Sequence, residues 1–367
     1  MSVCLAVLAA LSLTPLLPAA PAAPPKPKTI DVALCLDTSN SMDGLIDSAR
    51  RKLWAIVNDL ARTEPAPRLR VGLYSFGNDT YAKDAGWVRK DLDLTTDLDE
   101  VYRQLYALRT KGGTEYAARV GRDALQGLGW SDDPDAIRIL FVCGNEAATQ
   151  DPTLALEAVA AAAKAKKVFL NTIYCGPATD GLYPAWKQFA ALAGGKAANI
   201  DQEGARPDPA TPFDADLGKL STKINETYVW YGAKGDMARR NQVAQDANAA
   251  REAAGVAAER GLTKAGGCYN CADSDLIDRM LTDKTFDLKK IKDEELPEDM
   301  KKMKPEEREA HLKKKAAERA AIQKQIAELA AKRAKFIADE RKKEPTSAAD
   351  QAFDEALKTV LREQTGR

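Results

Sequence analysis

Histidine is all but absent: His311 is the only one in 367 residues. That excludes a His-rich zinc centre and leaves a Ser-His-Asp triad without a base beside any candidate nucleophile. Charge of neither sign dominates, since Lys+Arg and Asp+Glu both number 54. No overall field therefore draws the chain to nucleic acid or a membrane surface. Aromatic residues make up only 6% of the chain. The five tryptophans, Trp54, Trp87, Trp130, Trp186 and Trp230, are scattered without a flanking basic groove, so they read as packing residues and not as a platform for bases. Neither a phosphate-binding GxxxxGK[ST] loop nor a nucleophile elbow occurs, and the expectation is a protein that is not an enzyme. After residue 23 no apolar run is long enough to span a bilayer.

What is present starts with that leading stretch. MSVCLAVLAALSLTPLLPAAPAA (1–23) is apolar, is interrupted by Pro15 and Pro18, and ends in the small residues Ala20-Pro21-Ala22. It reads as a secretory signal followed by a Pro/Lys-rich linker, PPKPK (24–28), and predicts an exported protein, periplasmic or extracellular. A cytoplasmic chain is the alternative. From residue 29 strands and helices alternate. TIDVALCL (29–36), LRVGLYSF (69–76), AIRILFVC (136–143) and KVFLNTIYC (167–175) are near-continuous Val/Ile/Leu runs of the kind buried on both faces of a parallel sheet. WVRKDLDL (87–94) suits a short edge strand and AANI (197–200) a further one. Helical periodicity covers 44–62, 97–108, 115–128, 152–166, 182–193 and 214–231. The predicted fold class is α/β, a doubly wound and mostly parallel sheet followed by a charged helical extension.

The first strand leaves the sheet through CLDTSNSM (35–42). Asp37, Ser39 and Ser41 stand at alternate positions, so in an extended loop all three oxygens can face one point. Carboxylate and hydroxyl oxygens are hard donors suited to Mg²⁺ or Mn²⁺. A simple helix cap by Ser41 or Asp43 accounts for one of these residues but not for Asp37 and Ser39 as well.

Asp37-Thr38-Ser39-Asn40-Ser41 resembles the D-x-S-x-S signature of von Willebrand factor A domains, and LCLDTSNSMDGLIDSARRKLWAIVNDL is similar to their first strand, metal loop and first helix. The resemblance spans roughly residues 29–232. It implies a metal-ion-dependent adhesion site that takes a threonine from a second loop, for which KGGTEY (111–116) offers Thr114. It also implies an aspartate directly after the fourth strand, where FVCGNEAATQ (141–150) places Gly144. Asn145, as a neutral oxygen ligand, or Glu146, as a longer carboxylate, would have to substitute, or the site is a degenerate scaffold that binds no metal. Two serines and a threonine leave a cation's charge poorly compensated. In this family an outside carboxylate supplies the missing ligand, which implies a protein partner carrying an acidic side chain.

Cys35, Cys143 and Cys175 end predicted strands and read as small buried hydrophobes, with a Cys35–Cys143 contact left open. Cys268-Tyr269-Asn270-Cys271 is a lone CxxC in a loop; with no second pair and no nearby histidine, a local Cys268–Cys271 disulfide is expected in preference to zinc. Beyond residue 232 the composition turns helical and charged: 233–283 forms a linker region with the CxxC, and 284–367 is dense in Lys and Glu. A helix is predicted over 236–262, and another starts at Pro305, where proline in the first turn and acidic residues at the positive end of the dipole favour initiation. In it Ile322, Ile326, Leu329 and Phe336 keep 3/4 spacing, with Arg333 breaking the stripe. Such a stripe either self-associates or packs on the chain's own α/β domain.

Two functional classes follow. One is an exported, metal-dependent binding module whose C-terminal helices serve assembly or partner contact. The other is an intracellular subunit that docks on an ATPase- or chelatase-type machine.

Overall fold

A computed structural model describes residues 27–61, 65–200, 209–343 and 359–364. The leader expected over 1–23 lies outside these residues. The described elements run β1 (Thr29–Asp37), α1 (Asp43–Ala61), β2 (Arg68–Phe76), β3 (Val88–Thr95), α2 (Leu98–Ala107), α3 (Ala117–Gly127), β4 (Ile137–Gly144), α4 (Leu156–Ala165), β5 (Val168–Tyr174), α5 (Tyr183–Leu192) and β6 (Ala197–Asn199). They continue as α6 (Asp214–Asn225), α7 (Gly235–Glu252), α8 (Ala254–Ala265), α9 (Leu276–Thr282), α10 (Glu298–Lys301) and α11 (Pro305–Lys343).

The sheet order is β3-β2-β1-β4-β5-β6. β1 lies between β2 and β4, parallel to both, and only the β2–β3 pairing is antiparallel. The apolar runs form the inner strands because both their faces are covered. On β1, Ile30, Val32 and Leu36 join a core with Trp54 of α1 and Tyr102 of α2. Ala33 and Cys35, pointing the other way, join a second core with Val120 of α3, Val159 of α4 and Phe189 of α5. Helices thus cover both faces, the doubly wound arrangement. Each fully buried Leu, Ile or Phe contributes about 1.5–3 kcal/mol to it. β3, polar at alternate positions, takes the sheet edge and exposes Arg89 and Lys90.

The helical region is built onto this unit. Ala249 of α7, Val256 of α8 and Tyr269 belong to the same core as Trp54 and Tyr102. The single helix expected over 236–262 is two helices, because Ala253 adopts an extended conformation (φ −170°, ψ 158°) and α8 turns back to pack on α1 and α6. Fully buried Arg260 of α8 stacks over Trp54 at 4.7 Å and pairs with Asp99 of α2 at 2.5 Å and Asp246 of α7 at 3.0 Å.

On α11, Ile322 and Ile326 pack with Leu217, Ile224 and Ala258, while Phe336 meets Phe213 edge-on. Arg333 does not interrupt the contact. It is buried between the carboxylates of Asp214 and Glu259. Arg319 is fixed in the same way by Thr227, Asp275 and Asp278, over the ring of Tyr228. The apolar stripe is therefore taken up within the chain. No helix among the described residues is long and apolar enough to cross a membrane.

Candidate metal centre

The strand order reverses between β1 and β4, and ligands of such sheets bind beyond the carboxyl ends at that point. Three segments meet there. Asp37, the last residue of β1, is fully buried and continues the face of Ala33 and Cys35. Ser39 donates its backbone N–H to Asp37 Oδ1 at 2.8 Å, and Ser39 Oγ lies 3.3 Å from Ser41 Oγ. Between them Thr38 turns away, giving both its N–H and its hydroxyl to the Phe76 carbonyl at 2.8 and 2.9 Å. The alternation expected of the loop is present. Helix capping does not compete with it: Ser39 makes no side-chain cap, and Asp43 accepts the Thr110 hydroxyl.

The second segment, between α2 and α3, is zipped to the first. Asn40 N–H donates to the Gly112 carbonyl at 2.7 Å, Gly112 N–H returns to Asn40 Oδ1 at 3.1 Å, and Lys111 N–H reaches the Thr38 carbonyl at 2.9 Å. This clamp holds Thr114, half-buried, two residues past Gly112.

The third segment follows β4. Asn145 donates its amide to Ser41 Oγ at 2.9 Å and so enters the site. Glu146 is exposed at the rim, its backbone carbonyl held by the Trp186 indole at 2.8 Å. A side chain at Gly144 would start 3.2 Å from Asp37 Oδ2 and 3.1 Å from the Trp186 ring, a tight fit that the neighbours would have to ease by a few tenths of an ångström.

Sequence reasoning missed Glu115. It had the appearance of an acidic residue in the first turn of a helix, but α3 begins at Ala117 and Glu115 is buried ahead of it. Its side chain and that of Asp37 flank Gly77: a Cβ there would lie 2.7 Å from Glu115 Cγ and 2.8 Å from Asp37 Oδ1. Gly77 has φ +76°, which also favours glycine. A signal was present in the carboxylate that directly follows Thr114, but nothing local distinguishes it from a dipole-favoured helix start.

Asp37 Oδ2, Glu115 Oε2 and Asn145 Oδ1 are all buried without a hydrogen-bond partner. Such atoms are costly unless satisfied. Burial pushes the Asp37 carboxyl well above the usual carboxylate range, against the pull of the Ser39 hydrogen bonds. Burial, then the neighbouring Asp37 charge, does the same to Glu115. The donors are all hard oxygens, and the buried unpartnered ones include two carboxylates, so the residues fit a divalent cation of the Mg²⁺ or Mn²⁺ kind. Among the described residues no three of His, Cys, Asp and Glu gather as a metal-binding group, so hydroxyl and amide oxygens would complete the set.

The cysteines do not take part. Cys35 faces the α3 side, while Cys143, set beside Leu36, faces the α1 side, so the two do not meet side chain to side chain. The expected Cys268–Cys271 disulfide is not formed in the structure. Cys268 points to the Pro67 carbonyl, while Cys271 is fixed in a turn by its N–H to Asp278 and its carbonyl to Ser274 and Asp275.

No family model matches the chain, and no curated protein matches it. Among solved structures, proximal thread matrix protein 1 from the mussel byssus is similar at 10% identity, over 48% of this chain and 42% of that one, with a TM-score of 0.36. Its form with a zinc-occupied MIDAS motif is similar at 11% identity, over 48% and 43%, TM-score 0.37. The SpRpn10 VWA domain is similar at 15% identity, over 47% of this chain and 88% of that one, TM-score 0.35. The chain thus spans less than half the length of the mussel protein.

Proposed function

We propose that the chain is a binding protein of von Willebrand factor A type whose β1–β4 switch point holds a divalent cation and offers it to an oxygen ligand, a carboxylate in that family, on a protein partner. One observation carries the reading: in the three segments that meet at the switch point, Asp37 Oδ2, Glu115 Oε2 and Asn145 Oδ1 are each buried with no hydrogen-bond partner. A cation satisfies all three, whereas a merely structural turn leaves them at a cost of about 1–3 kcal/mol each. Binding is favoured over catalysis because the sole histidine, His311, lies on α11, away from these segments. Export of the protein is part of the same proposal and rests on the apolar leader.

Calorimetric titration of the full chain with Mg²⁺, Mn²⁺ and Zn²⁺, beside Asp37→Ala, tests the reading. Binding in the wild type that disappears in the variant supports it. Equal affinity in both, or no cation binding in the wild type, overturns it.

A further inference from the structure

The resemblance assigns the site one carboxylate from β1 and expects another after β4, where this chain has Gly144. The structure supplies a second carboxylate from elsewhere. Glu115 enters from the α2–α3 loop, in the segment clamped to Asn40 and Thr38, and reaches Asp37 past the open side of Gly77. It is 6% exposed and Asp37 is fully buried, so both carboxylates lie behind the serine loop and not on the protein surface. Each leaves one buried oxygen without a partner. Among the described residues no Arg or Lys is paired with either carboxylate, whereas other buried acids have one: Asp31 has Arg70, Asp151 has Arg119, Asp214 has Arg333 and Asp275 has Arg319. Glu146, the carboxylate nearer in sequence to the expected position, is exposed at the rim, where its charge acts on both buried carboxylates.

Building on the proposed function, we infer that Glu115 is the second anionic ligand of the cation, standing in for the aspartate that Gly144 displaces. Two carboxylates balance a divalent charge from within the chain. The cation is then held before any partner arrives, and a partner's carboxylate is not required to complete the charge. Asp37 with the serine hydroxyls alone would give the opposite behaviour, since ligand charge sets affinity at sites of hard oxygens.

The test is Mn²⁺ titration of the full chain, by calorimetry and by the electron paramagnetic resonance signal of free Mn²⁺, for wild type, Glu115→Gln, Glu146→Gln and Asp37→Ala. Glu115→Gln keeps the shape and removes the charge. It is expected to weaken Mn²⁺ binding by roughly tenfold or more and to melt no lower than wild type without metal, because it relieves an unpaired buried carboxylate. Glu146→Gln is expected to bind as wild type does. Wild-type affinity in Glu115→Gln, with binding lost in Asp37→Ala, overturns the role of Glu115 and leaves the metal site standing. Weakening in Glu146→Gln alone assigns the second charge to Glu146 and also overturns it. No binding in the wild type overturns both readings together.

Discussion

Asn145 gives its side-chain amide to the Ser41 hydroxyl at 2.9 Å, joining the turn after β4 to the serine loop across 104 residues of sequence. The same bond turns its carbonyl oxygen inward, where it is buried and unpartnered. Glu146, one residue on, faces solvent. Asn145→Ala is therefore expected to lower Mn²⁺ affinity by about tenfold to a hundredfold, as loss of an orienting group at a metal site does. Glu146→Ala should leave affinity unchanged. Calorimetry on the two variants side by side checks this, and the reverse ranking would place Glu146, not Asn145, at the cation.

Gly77 allows the two carboxylates to approach. Alanine there meets a positive φ as well as Glu115 and Asp37 at contact distances too short for a real Cβ. Gly77→Ala is expected to cost roughly 1–3 kcal/mol in urea unfolding and to weaken cation binding by displacing Glu115. A variant with unchanged stability and affinity would show that the two side chains have room to spare.

Arg260 joins the helical region to the α/β unit through buried pairs with Asp99 and Asp246. Burial and the Asp246 charge act in opposition on neighbouring Lys264, and burial prevails, holding its ammonium down to about 8. Removing Arg260 leaves the buried Asp99 carboxylate uncompensated, while Asp246 keeps Lys264, so Arg260→Ala should destabilise the chain by about 3–5 kcal/mol in one cooperative transition. A separate early transition of the helices, with the α/β unit melting as before, would instead mean that the two parts fold independently.

Asp151 contributes to the acid limb of stability. Burial alone would raise its carboxyl, but the Arg119 and Thr153 hydrogen bonds overcome that and hold it down to about 2. Its unfolded value is about 3.9, so between these values the unfolded state binds more protons. The contribution is full above about pH 4 and is lost as pH falls towards 2, amounting to no more than about 2 kcal/mol. Melting wild type and Asp151→Asn from pH 6 to pH 2 should show a wild-type advantage that shrinks across that window. A constant difference would rule out the titration of Asp151 as its source.

Much of the fold was legible because burial on two faces writes itself into local composition. The runs around Val32, Leu73, Leu140 and Leu170 mark inner strands to within a residue or two, and the polar alternation of 88–95 marks the edge. Asp37, Ser39 and Ser41 were legible for a similar reason: their convergence depends on a period of two along one loop. Other features carried no local mark. Ala253 lies within an unbroken helical composition, yet the chain turns there because α8 gains a face on α1 and α6. Arg333 interrupts an apolar stripe on paper, yet it is buried because Asp214 and Glu259 come from other helices to meet it. The CxxC spacing suggests a bridge, but the Cys268 thiol turns to the Pro67 carbonyl from a distant segment.

By itself, then, the sequence determined the alternating α/β architecture, the loop that leaves β1, and the oxygen chemistry of that loop, since each follows from short-range periodicity. The tertiary structure alone decided which distant groups join it. The β1–β4 register brings Asn145 to Ser41, and the Asn40–Gly112 clamp carries Glu115 past Gly77 to Asp37. The physical reason is that a buried carboxylate is defined by what surrounds it, and the surroundings of Asp37 and Glu115 come from segments separated by 38 to 104 residues.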